Sequence, residues 1–381
     1  MLKKPVQQEK NSKRKLLSKE FKKEQQEYTM VVFCHLRWEF VYQRPQHLIS
    51  RMAKDYKILF IEEPIGYNIN EEGEYQLEII NENLHILKPR VKDIASIKPI
   101  LEKLLKDSRP EVAWFYSAAF SPLLADFNFE KVVYDCMDEL SLFKGAAPEL
   151  MHQEKFLISE ADVIFTGGKS LYESKEKHHN NVHCFPSSVE REHFEKARTN
   201  IPVPGDIENI KSPIVGYFGV IDERINLDLL HKTALLQPEI SFVMIGPLAK
   251  IGEEDLPREE NIHYLGMKSY KELPNYLKAF DIAMMPFALN DATKFISPTK
   301  TLEYMAAGKP IISTAIKDVQ RDYSHCIPIV ATAEEFAKQI KEILNDNKSS
   351  QTTGEYNTIL NNTSWDSTAA QMKQLLKTKA Q

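Results

Sequence analysis

Short apolar runs, each leading into polar or glycine-bearing residues and then into helix-patterned sequence, recur along this chain, and they constrain its fold more than any other feature. Thr29-Met-Val-Val-Phe-Cys-His35, Tyr56-Lys-Ile-Leu-Phe-Ile61, Glu111-Val-Ala-Trp-Phe-Tyr116, Lys131-Val-Val-Tyr-Asp135 and Asp162-Val-Ile-Phe-Thr166 form one series. Pro213-Ile-Val-Gly-Tyr-Phe-Gly219, Ile240-Ser-Phe-Val-Met-Ile-Gly246, Asn261-Ile-His-Tyr-Leu-Gly266 and Phe280-Asp-Ile-Ala-Met-Met-Pro286 form a second. Near-continuous apolar strands alternating with helices mark an α/β protein whose parallel sheets are covered on both faces. Between the two series lies a polar, proline-containing segment, residues 198–212, that reads as a linker. The expected division is a basic tail (1–28), a first α/β domain (29–197), the linker and a second α/β domain (213–364). A closing helix follows over 365–381. Further along, a helix from Pro148 to Ala161 and another from Ala333 to Asn345, N-capped by Thr332, are expected, with residues 347–362 as polar loop.

The second series is organised around Phe295-Ile-Ser-Pro-Thr-Lys-Thr-Leu-Glu-Tyr-Met-Ala-Ala-Gly-Lys-Pro-Ile-Ile-Ser-Thr314. Ser297 suits an N-cap and Pro298 the first helical position, where a missing N–H costs nothing. Gly308 and Pro310 stop the helix, and Ile311 and Ile312 begin a buried strand. An abrupt helix start presents free N–H groups and positive dipole to an anion. The anion site expected here comprises Ser297, Pro298 and Thr299 with Lys300 as a mobile cation. Glu303, one turn on, is placed to accept hydrogen bonds from the two hydroxyls of a ribose. Phosphate and ribose together point to a nucleotide.

These residues also carry a resemblance. Leu302-Glu-Tyr-Met-Ala-Ala-Gly-Lys-Pro310 resembles the E-x-M-A-x-G-x-P signature of retaining GT-B glycosyltransferases, and the Ser-Pro-Thr-Lys-Thr-Leu-Glu form resembles a branch that builds teichuronic acids and envelope polysaccharides. The resemblance implies two Rossmann-like domains facing across a cleft, with a nucleoside diphosphate sugar on the second and the acceptor on the first. It also implies that the closing helix crosses back onto the first domain. Members carry a diphosphate-binding Arg and Lys after the first strand of the donor domain. Val220 stands at the Arg position, and Arg224, one residue from the Lys position, is the candidate clamp; the alternative is a surface ion pair with Asp222 or Asp228. Members lay the base near the region corresponding to Gly266–Lys268. They also carry a second Glu eight residues before the ribose Glu; Phe295 stands there, and Asp291 could replace it only if the loop folds back. Ser187-Ser-Val-Glu-Arg-Glu-His-Phe194 keeps the frame of the passage before the domain crossing, with Ser188 and Glu190 in place of its Gly and Asp.

Acceptor candidates follow from position. His35, Arg37, Gln43, Arg44 and His47, with Trp38 and Tyr42, gather where the first strand ends and the next helix begins; singly, such residues are more often surface or capping groups. Asp135 and Asp138 stand at the end of a later strand, as general base or hydroxyl-gripping acid on one reading and as helix caps on the other. Gly167-Gly168-Lys169-Ser170 is not a P-loop, because Val163 occupies the position of its earlier glycine. Asp135-Cys-Met-Asp138 does not reproduce a metal-binding Asp-x-Asp, so chemistry without a metal or other cofactor is expected.

The 381 residues carry a net charge of −5, which argues against a general nucleic-acid binder. Cys34, Cys136, Cys184 and Cys326 lie far apart, as expected of a reducing cytoplasm rather than a disulfide framework. Lys13-Arg-Lys-Leu-Leu-Ser-Lys-Glu-Phe-Lys-Lys23 is either a basic amphipathic helix resting peripherally on an anionic membrane, at the inner face of the plasma membrane, or a solvated leader. The expected function is transfer of a sugar from a nucleoside diphosphate sugar to a hydroxyl of a glycan or lipid-linked glycan in cell-surface polysaccharide synthesis. Its rivals are an epimerase or phosphorylase on the same plan, and a catalytically degenerate protein that binds a nucleotide sugar or scaffolds an assembly.

Overall fold

The computed structural model describes residues 27–64, 74–345 and 349–377. Of the basic segment, residues 1–26 lie outside these, as do residues 378–381 of the closing segment. Strands β1 (Met30–Cys34), β2 (Ile58–Glu62), β3 (Tyr75–Asn81), β4 (Leu84–Pro89), β5 (Val112–Phe115), β6 (Lys131–Cys136), β7 (Val163–Thr166) and β8 (Val182–Cys184) build an eight-stranded sheet in the order β3-β4-β2-β1-β5-β6-β7-β8. Its pairs are parallel except β3–β4, an antiparallel hairpin at the edge. Strands β9 (Ile214–Phe218), β10 (Ser241–Ile245), β11 (Ile262–Tyr264), β12 (Ile282–Met285), β13 (Ile311–Thr314) and β14 (Ile329–Val330) build the second sheet, wholly parallel, in the order β11-β10-β9-β12-β13-β14.

Both sheets are doubly wound. The strand order reverses between β1 and β5 in the first and between β9 and β12 in the second. Such reversals open crevices at the carboxyl ends of the strands. Strand alternation splits the first domain's interior: Val31 and Phe33 face one apolar cluster, Met30, Val32 and Cys34 the other. That second face is closed by the helix Trp365–Lys377, whose Trp365, Ala369, Met372 and Leu376 recur at helical spacing and pack with Leu48, Ile49 and Met52. The chain thus finishes on its first domain.

Three expectations change. Residues 349–360, expected as loop, form the helix Ser349–Leu360, which packs against the helix Lys300–Ala306; the buried Tyr356 and Leu360 supply the apolar stripe that a mostly polar sequence hid. The segment 198–212 is fastened to the second domain: Lys278 donates to the carbonyls of Thr199 and Ile201 at 2.9 and 2.7 Å, and Asp206 takes the Tyr276 hydroxyl and Lys268. The organising helix begins at Lys300 rather than next to Ser297. Ser297 is held outside it because its carbonyl accepts the Ser187 hydroxyl at 2.7 Å and its side chain lies against Gly168. The Thr332 cap is as expected, accepting from the Glu335 N–H at 3.2 Å while the Glu335 carboxylate takes the Ala331 N–H at 2.7 Å.

Trp365 is 1% exposed and joins the terminal helix to the first domain. Trp365→Ala is expected to lower stability by about 3–5 kcal/mol in urea unfolding, with a change near zero showing that the helix is not needed to close the core.

Candidate active site in the interdomain cleft

The loops that leave β6, β7, β9 and β12 converge on a cavity of about 130 Å³ between the two domains. Gln43, Arg44, Asp138 and Ser187 line it from the first domain and the crossing; Tyr217, Gly219, Arg224, Tyr270, Lys300 and Glu303 line it from the second. Ser297, Pro298 and Thr299 form part of the same wall.

Lys300 begins its helix and extends across the end of β9, its Nζ 5.6 Å from the centroid of the Tyr217 ring. Gly219 makes this possible: with φ of +140° it suits glycine, and a Cβ there would collide with the Lys300 Cε and Nζ. Among the described residues the ammonium has no ion-pair partner, and burial lowers its pKa although Glu303 pulls the other way. Glu303, 6% exposed, stands one turn along. Burial raises its carboxyl to about 7, against the attraction of Lys300 and a hydrogen bond from Thr299. A cation without a counter-ion and a carboxyl kept from ionising are thus adjacent in one cleft.

Arg224 presents its guanidinium to the same space with one edge taken: Nε and Nη2 donate to the Asp222 carboxylate at 3.0 and 2.7 Å. Asp222 is therefore its ion-pair partner, while Asp228 pairs with Lys232 at 2.6 Å. From the other wall Asp138 faces Arg224; burial raises its carboxyl to about 6, with Arg224 opposing.

The acceptor candidates divide. Gln43 and Arg44 reach the cavity, but the Arg44 guanidinium is fully engaged, with Nε and Nη2 on Asp135 at 3.0 and 2.8 Å and Nη1 on the Phe185 carbonyl at 2.7 Å. Asp135 lies beneath it, wholly buried. Burial raises the Asp135 carboxyl even with the Arg44 charge in contact, so the pair holds the end of β6 in place at an electrostatic cost. Arg37 pairs with Glu62 at 2.7 Å. His47 stacks on Trp365 at 4.7 Å with its ring nearly parallel, and burial lowers its pKa although Glu190, 3.6 Å away, pulls the other way. His35 is outside the cavity wall, its buried Nδ1 without a hydrogen-bond partner among the described residues and its pKa lowered to about 4 by burial.

Sequence reasoning did not single out Tyr217, Gly219 or Tyr270 as site residues. The first two were within reach, since they end a strand immediately before the Val220 position already under scrutiny. Tyr270 gave no signal, because only the fold brings it beside Glu303. Residues Gly266–Lys268, the expected cover for a base, do not line the cavity, whereas Tyr270 and Leu273 do.

Comparison with known proteins bears on this cleft. Residues 212–346 match the model of the family described as Glycosyl transferases group 1. TuaH of Bacillus subtilis (strain 168), assigned as a teichuronic acid biosynthesis glycosyltransferase, is 25% identical over 272 residues, 64% of this chain and 68% of TuaH. The chain is a glycosyltransferase of the GT-B fold. The solved sucrose-phosphate synthase of Thermosynechococcus elongatus shares that fold with a TM-score of 0.68 at 15% identity, over 91% of this chain and 97% of its own. An E. coli trehalose-6-phosphate protein bound with UDP-2-fluoro glucose has the same TM-score, 0.68, at 12% identity, over 92% and 100%.

Two outcomes follow for this glycosyltransferase. Removing one member of the buried Arg44–Asp135 pair, as in Asp135→Ala, is expected to destabilise by about 3–5 kcal/mol, measured by urea unfolding; a loss below about 1 kcal/mol would mean the pair is not structural. Glu303 ionises near 4.5 in an unfolded chain and near 7 in the folded one, so between those values the folded state holds the extra proton and stability falls as pH rises. Glu303→Gln is expected to flatten the drop in thermal midpoint between about pH 5 and about pH 8, leaving a smaller slope of the same sign from Asp138. An unchanged slope would remove Glu303 as its source.

Proposed function

We propose that the chain moves a sugar from a nucleoside diphosphate sugar held by the second domain to a hydroxyl of a glycan or lipid-linked glycan held by the first. On this reading its product belongs to a bacterial cell-surface polysaccharide, as the name of TuaH suggests. The observation that carries it is the unpaired Lys300 one turn from the buried Glu303, facing Arg224 within the interdomain cavity. The diphosphate supplies the counter-ion that Lys300 lacks, and the ribose hydroxyls donate to Glu303. The E. coli neighbour bound with UDP-2-fluoro glucose supports a nucleotide-sugar donor.

Departure of the diphosphate builds negative charge on the leaving oxygen. Lys300 and Arg224 stabilise that charge in a partly desolvated cleft, the role a metal ion takes elsewhere, and this supports metal-independent transfer. Retention of configuration rests on the E-x-M-A-x-G-x-P resemblance. A same-face transfer, with the leaving phosphate accepting the acceptor proton, then needs no protein nucleophile; Asp138 is placed to grip the acceptor hydroxyl. The cavity is smaller than the roughly 300–1,000 Å³ usual for ligand sites, so donor entry requires the domains to part. Peripheral binding of the basic tail to an anionic membrane would bring the enzyme to a lipid-linked acceptor on the cytoplasmic side.

One observation favours a second reading. Phe295, at the position of the usual additional Glu, packs against the apolar cluster of the first domain, and the exposed Asp291 does not line the cavity. A protein that binds a nucleotide sugar without transferring it would have such a site.

Thermal stabilisation by UDP, ADP, GDP and their glucose conjugates, without added metal, tests the donor site. A rise in midpoint with one nucleoside diphosphate, lost in Lys300→Ala and Glu303→Ala, is expected; no rise with any of them would sink the proposal. Release of labelled sugar from the selected donor separates the transferase from the binding protein.

A further inference from the structure

The segment Asp138–Lys144, which leaves β6 in the first domain, is gripped by three side chains of the second. The Glu223 carboxylate accepts the Lys144 N–H through both oxygens, at 3.1 and 3.2 Å. Lys250 donates to the Lys144 carbonyl at 3.3 Å, and its Nζ lies 4.9 Å from the centroid of the Phe143 ring. Arg224 places its Cζ 5.6 Å from the same ring. One aromatic side chain of the first domain therefore serves two cations of the second. Lys250 also has φ of +60°, and among the described residues no other non-glycine residue has a positive φ. Such a conformation persists in a residue other than glycine where its surroundings fix it.

The Arg224 guanidinium needs this contact for a physical reason. Asp222 fixes one edge of it but opposes its charge. Asp138, which faces it from the other wall, makes no hydrogen bond to it among the described residues and so does not orient it. An aromatic ring holds a cation through its quadrupole and leaves the charge in place. Among the described residues Nη1 has no hydrogen-bond partner, so the restrained guanidinium keeps a donor for an incoming anion.

We infer that Phe143 is a positioning residue: when the domains close, its ring fixes Arg224 in the orientation that grips the terminal phosphate of the donor. The inference rests on the diphosphate reading of the cleft. Its consequence is that the second domain alone does not complete its phosphate clamp. The first domain, which carries the acceptor wall, supplies the last restraint, so closure and clamping of the donor are one event.

Isothermal titration of the full chain with UDP and UMP, with the adenosine and guanosine pairs in parallel, separates positioning from packing. Phe143→Leu and Phe143→Met keep an apolar side chain and lose the π face. Each is expected to weaken diphosphate binding by a factor of about 3 to 30 and to leave monophosphate binding unchanged. Phe143→Tyr is expected to bind both as the unsubstituted chain does. In an Arg224→Ala background, Phe143→Leu is expected to add no further loss, because the ring has nothing left to position. Equal losses for mono- and diphosphate, or losses that add to that of Arg224→Ala, would overturn the inference. If Arg224→Ala weakens UDP while both apolar replacements bind it fully, the inference fails and the diphosphate site stands. If the unsubstituted chain binds none of the nucleotides, the donor reading and this inference fall together.

Discussion

The cleft depends on how two doubly wound sheets are held facing one another, and the contact that fixes this is the return of the chain to its first domain. The Trp365 ring lies parallel to that of His47, and the helix behind it completes the first domain's apolar cluster. Beside them Glu190 ties the halves together, accepting from Arg51 at 3.0 Å and from the Tyr270 hydroxyl at 3.1 Å. Arg51 is joined in turn to Asp366 at 3.1 Å. A second joint buries Asp318, which takes the N–H and hydroxyl of Ser170 and the Arg321 guanidinium. Between these two joints the strand ends of both domains meet.

What meets there is electrostatically incomplete. Most charged side chains in the interior of the protein have partners: Arg44 has Asp135, and Lys175 has Glu139 and Glu154. Among the described residues Lys300 has none, and burial raises the carboxyl of Glu303, one turn along, to about 7. An unpaired charge in a desolvated site is expensive, and such deficits gather at sites where a ligand can relieve them. The same incompleteness sets the pH behaviour of the unliganded protein, since the site loses stability as Glu303 ionises.

Much of this was legible in the amino-acid order, for reasons that are local. Apolar runs such as Met30–Cys34 and Ser241–Ile245 are buried at every position, and the strands lie where continuous apolar sequence requires them. Lys300 and Glu303 were visible because helix geometry puts residues three apart on one face. The failures are failures of long-range information. Arg37, Arg44 and His47 look alike in the polar stretch after the first strand, but their partners, Glu62, Asp135 and Trp365, are supplied by distant segments. The helix Ser349–Leu360 was hidden because its stripe is thin and gains its apolar surroundings only from the helix beside it. Ser297 had the right residue type for a cap, yet a contact with the other domain took it out of the helix.

The distribution of contacts across the cleft says how it can open. Away from the joint at Trp365, the domains touch through polar contacts such as Ser187 with Ser297 and Lys144 with Glu223. Water replaces hydrogen bonds of this kind at little net cost. On the crossing side the contact is the fully buried Trp365, whose exposure water does not compensate. Buried apolar area is thus concentrated on the crossing side, and undocking the helix there would cost more than breaking the polar contacts of Ser187 and Lys144. Phe143 and Lys250 belong to opposite domains, whereas Lys300 and Glu303 share one helix. The spacing of that pair is therefore set within one helix, whereas the contact of Arg224 with Phe143 is made between domains.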